Sequence, residues 1–177
     1  MSFKNLWDNS LPSNFKLEKK DKIISNFKIA CGKLEFMYKI KPKDYVWLPT
    51  RSRKKMGYQN HLEHTWRIDM GYAGIGFNDG IRGILKTKEV IPGIAITDDH
   101  VIGATLCGQI IDELLKKENY NPEYLINNYL FDNLYLWGTI RMTREQHKNV
   151  LQNRNTLEEK LMLKHYKNID LEDLIVI

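Results

Sequence analysis

The stretch "LYLWGTIRMTREQHKNVL" limits the fold more than any other part of the chain. Its first half is aromatic and β-branched, the composition of a strand. Thr143 and Gln146 follow, spaced as a capping box. In that motif the threonine hydroxyl closes on the backbone of the third helical residue, and the glutamine side chain reaches back to the threonine amide. The spacing predicts a strand that runs straight into a helix start. His147 then falls at the end of the first helical turn.

A second stretch, "AITDDHVIGA", ends a short apolar run on Asp98, Asp99 and His100. It predicts a strand ending at the acidic pair. Two helices are predicted between this strand and the next. "ATLCGQIIDELLKK" puts Leu106, Ile110, Ile111, Leu114 and Leu115 on one helical face. "NPEYLINNYLF" offers Asn121 as N-cap and proline at the first helical position. The order is strand, Asp-Asp-His, two inserted helices, strand, capped helix. Thr156 with Glu159 repeats the capping box before "LEEKLMLKHY". The tail "IDLEDLIVI" is apolar enough to dock on the body.

The N-terminal half is less sharply patterned. "FKLEKKDKIISNFKIACGK" has helical spacing. "KLEFMYKIK" alternates, with Leu34, Phe36, Tyr38 and Ile40 on one side, which predicts a strand ended by Pro42. "HTWRIDMGYAGIGF" reads as a strand leading into a turn, and "GIRGILKTKEVIPGIAITDDH" as at least one strand. The glycines of "GYAGIGFNDG" do not follow a dinucleotide-binding spacing, so a hairpin or irregular loop is expected. His61, Glu63 and His64 lack the zinc-protease spacing, and a polar strand face or a DNA-facing edge is favoured over a second metal site. His165 is expected at the surface, near a helix end.

A chain of 177 residues suits one compact α+β unit, with an N-terminal helix and strand region over 1–90 and a second region over 91–177. Cys31 and Cys107 sit among apolar neighbours and form no Cys-x-x-Cys pair, so two buried thiols are expected and structural zinc is not. No apolar run is long enough for a bilayer, and the first residues lack a signal peptide's apolar middle, which points to the cytoplasm and away from membranes. Lys and Arg number 27 against 22 Asp and Glu, a net charge of +5 that favours an anionic partner.

If the strand after the insertion pairs with the one ending at Asp99 and His100, one carboxylate and the His147 imidazole face a common point. An oxygen and a nitrogen ligand, with other positions open to water and phosphate, suit Mg²⁺ or a similar ion. A neighbouring neutral imidazole can take a proton from water near neutral pH. The other reading keeps Asp98 and Asp99 as turn or cap residues and His147 as an exposed helix residue.

"DDHVIG", followed by a strand and "MTREQHKNVL", resembles the HNH, or ββα-metal, nucleases, in particular small phage-type HNH proteins. The resemblance spans Ile94 to Leu151. It implies a ββα-metal core with a helical insertion between its two strands. It implies Asp99 and His147 as ligands of one divalent ion, Mg²⁺ with Mn²⁺ able to substitute. It implies His100 as the general base activating water. Asn133, in "FDNLYLW", resembles the family's asparagine at the second strand, at a longer distance from His147 than in compact members. The implied activity is hydrolysis of double-stranded DNA, of homing or restriction type, with a homodimer or two successive events needed for a double-strand cut. "RSRKKMGYQ" concentrates Arg51, Arg53, Lys54 and Lys55 near Tyr58 and is expected to contact phosphates. Arg141 and Arg144 flank Thr143 and are candidates to clamp the same backbone. Two other classes stay open: a non-catalytic nucleic-acid-binding module and a ribonuclease.

Overall fold

The structure, a computed structural model, describes residues 1–40, 84–119, 121–150 and 156–177. The basic residues Arg51, Arg53, Lys54 and Lys55, with Tyr58, His61, Glu63, His64, the predicted strand after His64 and the glycine-rich stretch, lie outside the described residues. The protein is α+β. Its helices are α1 (Phe3–Ser10), α2 (Phe15–Glu18), α3 (Lys20–Ile40), α4 (Ala104–Lys117), α5 (Pro122–Asn128), α6 (Arg144–Lys148) and α7 (Leu157–Leu161). Its strands are β1 (Leu85–Thr87), β2 (Ile96–His100), β3 (Thr139–Thr143) and β4 (Leu174–Val176).

The chain divides into two compact units that interleave along the sequence. One comprises Met1–Phe15, Phe77–Gly103 and Leu134–Ile177; the other comprises Lys16–Gly76 and Ala104–Asn133.

The first unit is built on a sheet ordered β2-β3-β1-β4. β2 and β3 are antiparallel, with Ile96 opposite Thr143, Asp98 opposite Arg141, Asp99 opposite Ile140 and His100 opposite Thr139. Bonds from Arg144 N to Ala95 O (3.0 Å) and from Val101 N to Gly138 O (3.2 Å) carry the ladder past both ends. β1 lies parallel to β3, and β4 closes the far edge antiparallel to β1. The tail therefore docks, as a strand. Leu85, Ile140 and Met142 are fully buried on the sheet. α1 supplies Phe3 and Trp7, both fully buried, against the 3₁₀ turn Leu134–Trp137. That turn takes the first four residues of the predicted "LYLWGTIRM" strand, and β3 begins only at Thr139. Gly138 between them is required by close approach: a Cβ there would meet the Phe3 ring at 2.8 Å and the Tyr135 carbonyl at 3.0 Å.

The second unit is helical among its described residues. α3 runs unbroken for 21 residues, so the strand predicted over "KLEFMYKIK" is corrected to helix. Ile23, Phe27, Ala30 and Cys31 set a buried helical stripe, and the helix runs on past it to Ile40. Four alternating residues beyond an established helix, with no Pro or turn between, do not start a strand. α4 buries Cys107, Ile111 and Leu115. α5 starts as predicted, with the Asn121 side chain accepting from the Glu123 amide at 3.1 Å and proline in the first turn. Cys31 and Cys107 are free and buried, and burial pushes the Cys31 thiol up to about 12 and the Cys107 thiol higher still. No described helix is long and apolar enough to cross a membrane.

Candidate metal centre

The capping box that the sequence predicts is complete. The Gln146 amide donates to Thr143 Oγ1 at 3.1 Å, and the Thr143 amide donates to Gln146 Oε1 at 3.0 Å. Gln146 Oε1 also accepts from Thr87 Oγ1 of β1 at 2.8 Å. All three residues are buried, so the first turn of α6 is tied to two strands at once. Losing the glutamine would leave buried donors unmatched, which costs about 1–3 kcal/mol per group. A helix start fixed this firmly also fixes the direction of its next residue, His147.

That direction is toward β2. His147 Nε2 lies 3.6 Å from Asp99 Oδ1, too long for a hydrogen bond. Asp99 Oδ2 is held from the other side, accepting from the Tyr166 hydroxyl at 2.8 Å. Asp99 is partly buried and His147 is half exposed. Lys160, on α7, feels the Asp99 charge: burial lowers its pKa, and the carboxylate opposes that fall. The group thus comprises one carboxylate with a fixed oxygen and a presented oxygen, an imidazole, a phenol and a nearby ammonium.

Comparison with protein-family models, curated proteins and solved structures finds no match. What the site can do rests on its own chemistry.

The donor set can be tested against an ion. Two metal–ligand bonds of ~2.1 Å would bridge the observed 3.6 Å with an angle of roughly 120° at the ion. A closure to about 3.0 Å gives the right angle of an octahedral ion. The residues therefore fit a hard divalent cation held by two protein ligands. Among the described residues no group of three or more His, Cys, Asp or Glu converges, so water and substrate oxygens would have to complete the shell.

The remaining sequence candidates fall elsewhere. Consecutive residues of a strand point to opposite faces, so His100 and Asp98 leave the ribbon on the side away from Asp99. Arg141 is on that side too, its guanidinium forked onto Asp98 with Nε to Oδ1 at 3.0 Å and a terminal nitrogen to Oδ2 at 3.3 Å. Arg144 is exposed at the first position of α6. Asn133 belongs to the helical unit, where its side-chain Nδ2 donates to the Tyr129 carbonyl at 2.8 Å.

Sequence reasoning missed Tyr166 and Lys160. Tyr166 reaches Asp99 from 67 residues downstream, and no local pattern announces such a contact. His165 is corrected from surface to core. It is 2% exposed, with neither ring nitrogen hydrogen-bonded, and its ring lies 4.0 Å from that of Tyr166. Burial, and then the Lys160 charge, lower its pKa to about 3.

Proposed function

We propose that the protein hydrolyses phosphodiester bonds of double-stranded DNA, using a divalent ion, Mg²⁺ or Mn²⁺, held by Asp99 and His147. The 3.6 Å approach of these two side chains carries the reading. Its setting supports it: an antiparallel pair of strands followed at once by a helix, which is the order of a ββα-metal core. A divalent ion in that position relieves negative charge on a phosphate and on its departing oxygen. Tyr166 keeps one oxygen of Asp99 occupied, which leaves the other for a single bond. Lys160 and the exposed Arg144 are cations on hand for an incoming phosphodiester. The net charge of +5 favours the same class of partner.

His100 is the general base in this proposal, and it does not share the metal pair's support. The strand register sends it to the Asp98 face, so serving the same phosphate requires the last residue of β2 to turn. The two parts separate by experiment. Supercoiled plasmid incubated with the protein should be nicked with Mg²⁺ or Mn²⁺ and left intact with a chelator. His100→Ala should slow nicking about 10²–10⁴-fold with Mn²⁺ affinity unchanged. Full nicking by that variant removes His100 and leaves the ion site standing. No divalent-dependent cutting of DNA by the native protein overturns the proposal.

A non-catalytic nucleic-acid-binding module is the second reading, favoured by the two-residue ligand set. It predicts salt-sensitive binding with no cutting. Cutting confined to RNA would redirect the assignment to a ribonuclease.

A further inference from the structure

We propose that Tyr166 is a positioning residue, holding Asp99 Oδ2 so that Oδ1 alone is turned toward His147 and an ion. This rests on the reading of Asp99 and His147 as a metal pair and adds a residue that no sequence motif assigns.

Two observations carry it. The first is the bond itself, from a phenol hydroxyl to a carboxylate oxygen at 2.8 Å, while the second oxygen faces the imidazole. A carboxylate free to rotate about its last bond would present both oxygens in turn. A donor on one of them ends that rotation, as outer partners of metal ligands do. The second is that the phenol is itself held. Tyr166 is 6% exposed, its ring rests against His165, and its backbone forms a bridge with Val150. Its amide donates to the Leu163 carbonyl at 2.9 Å, closing a turn in which Leu163 adopts the left-handed region (φ 58°).

The segment that delivers Tyr166 begins at the capped helix α7 and continues through the turn at Leu163. This explains why the second capping box belongs to the site. Thr156 and Glu159 set the start of α7, α7 carries Lys160, and the turn after it brings Tyr166 to Asp99 of β2.

The test compares native protein with Tyr166→Phe, which removes one oxygen, and with Ile169→Ala, which truncates a side chain buried three residues along the same segment without touching the hydroxyl. Mn²⁺ affinity is read by calorimetry and Tm by thermal melting. Tyr166→Phe should bind Mn²⁺ about 10–100-fold more weakly. Ile169→Ala should lower Tm by more than Tyr166→Phe does while keeping native Mn²⁺ affinity. In the native protein, Mn²⁺ should also perturb the tyrosine ultraviolet absorption, and this difference spectrum should vanish in Tyr166→Phe. If that variant does not fold, the native difference spectrum decides: its absence during saturable Mn²⁺ binding overturns the role. Equal Mn²⁺ affinity in the native and Tyr166→Phe proteins overturns this inference alone. No Mn²⁺ binding by the native protein overturns the metal pair and this inference with it.

Discussion

Asp98 and Asp99 are neighbours in the chain and opposites in circumstance. Both stand on β2, one on each face. Asp98 meets a forked guanidinium, and each of its oxygens has a nitrogen partner. Asp99 has one oxygen bonded to a phenol and the other 3.6 Å from an imidazole to which it is not hydrogen-bonded. A bidentate arginine pair is geometrically complete, and a phosphate or cation must break it to enter. A carboxylate held by one oxygen beside a second donor is half of a coordination shell. The period of two along a strand thus divides two chemically identical side chains into a structural brace and a candidate ligand.

The comparison breaks most visibly in activity. Asp99→Ala should lower divalent-dependent plasmid nicking by orders of magnitude, whereas Asp98→Ala, assayed at a temperature where both variants are folded, should stay within a few-fold of native. Equal losses would mean that the two faces are not functionally distinct.

A smaller effect distinguishes the Asp99 side by acid. His165 lies behind Tyr166, and its folded-state pKa of about 3 lies below the ordinary 6.5. The unfolded chain then takes up the proton first, so this contribution to stability is full above pH 6.5 and is lost as pH falls toward 3. At pH 5 the loss amounts to about 2 kcal/mol. His165→Asn should show a shallower decline between pH 7 and 5 in denaturant melts. An identical pH slope in both proteins would place His165 in water rather than in the core.

The smallest effect belongs to the Asp98 side. Arg141→Ala should cost about 1 kcal/mol, because the pair is partly exposed and screened by solvent. It should leave Mn²⁺ affinity unchanged. A fall in that affinity would show that the two faces communicate through the ribbon.

What could be read beforehand was local chemistry. Both capping boxes, the Asn121 cap and the strand before Thr143 follow from residues within a few positions of one another. The pairing of β2 with β3 was conditional on a long-range contact, yet the sequence named the two side chains it would bring together. Three features were out of reach for the same reason. The faces of Asp98 and Asp99 depend on strand register, and shifting the register by one residue exchanges them. Tyr166 arrives from a distant segment. His165 looks like a surface residue because its neighbours Lys164 and Lys167 are exposed, while the turn at Leu163 rotates the ring inward. The strand expected over Leu34–Ile40 fails for a different reason: the helix that precedes the short alternation runs on through it to Ile40.

The central claim is most directly tested by titrating Mn²⁺ into native protein, Asp99→Ala and His147→Ala under conditions where all three are folded. The account predicts saturable binding of one ion by the native protein and at least tenfold weaker binding by each variant. Native-like affinity in both variants would contradict it.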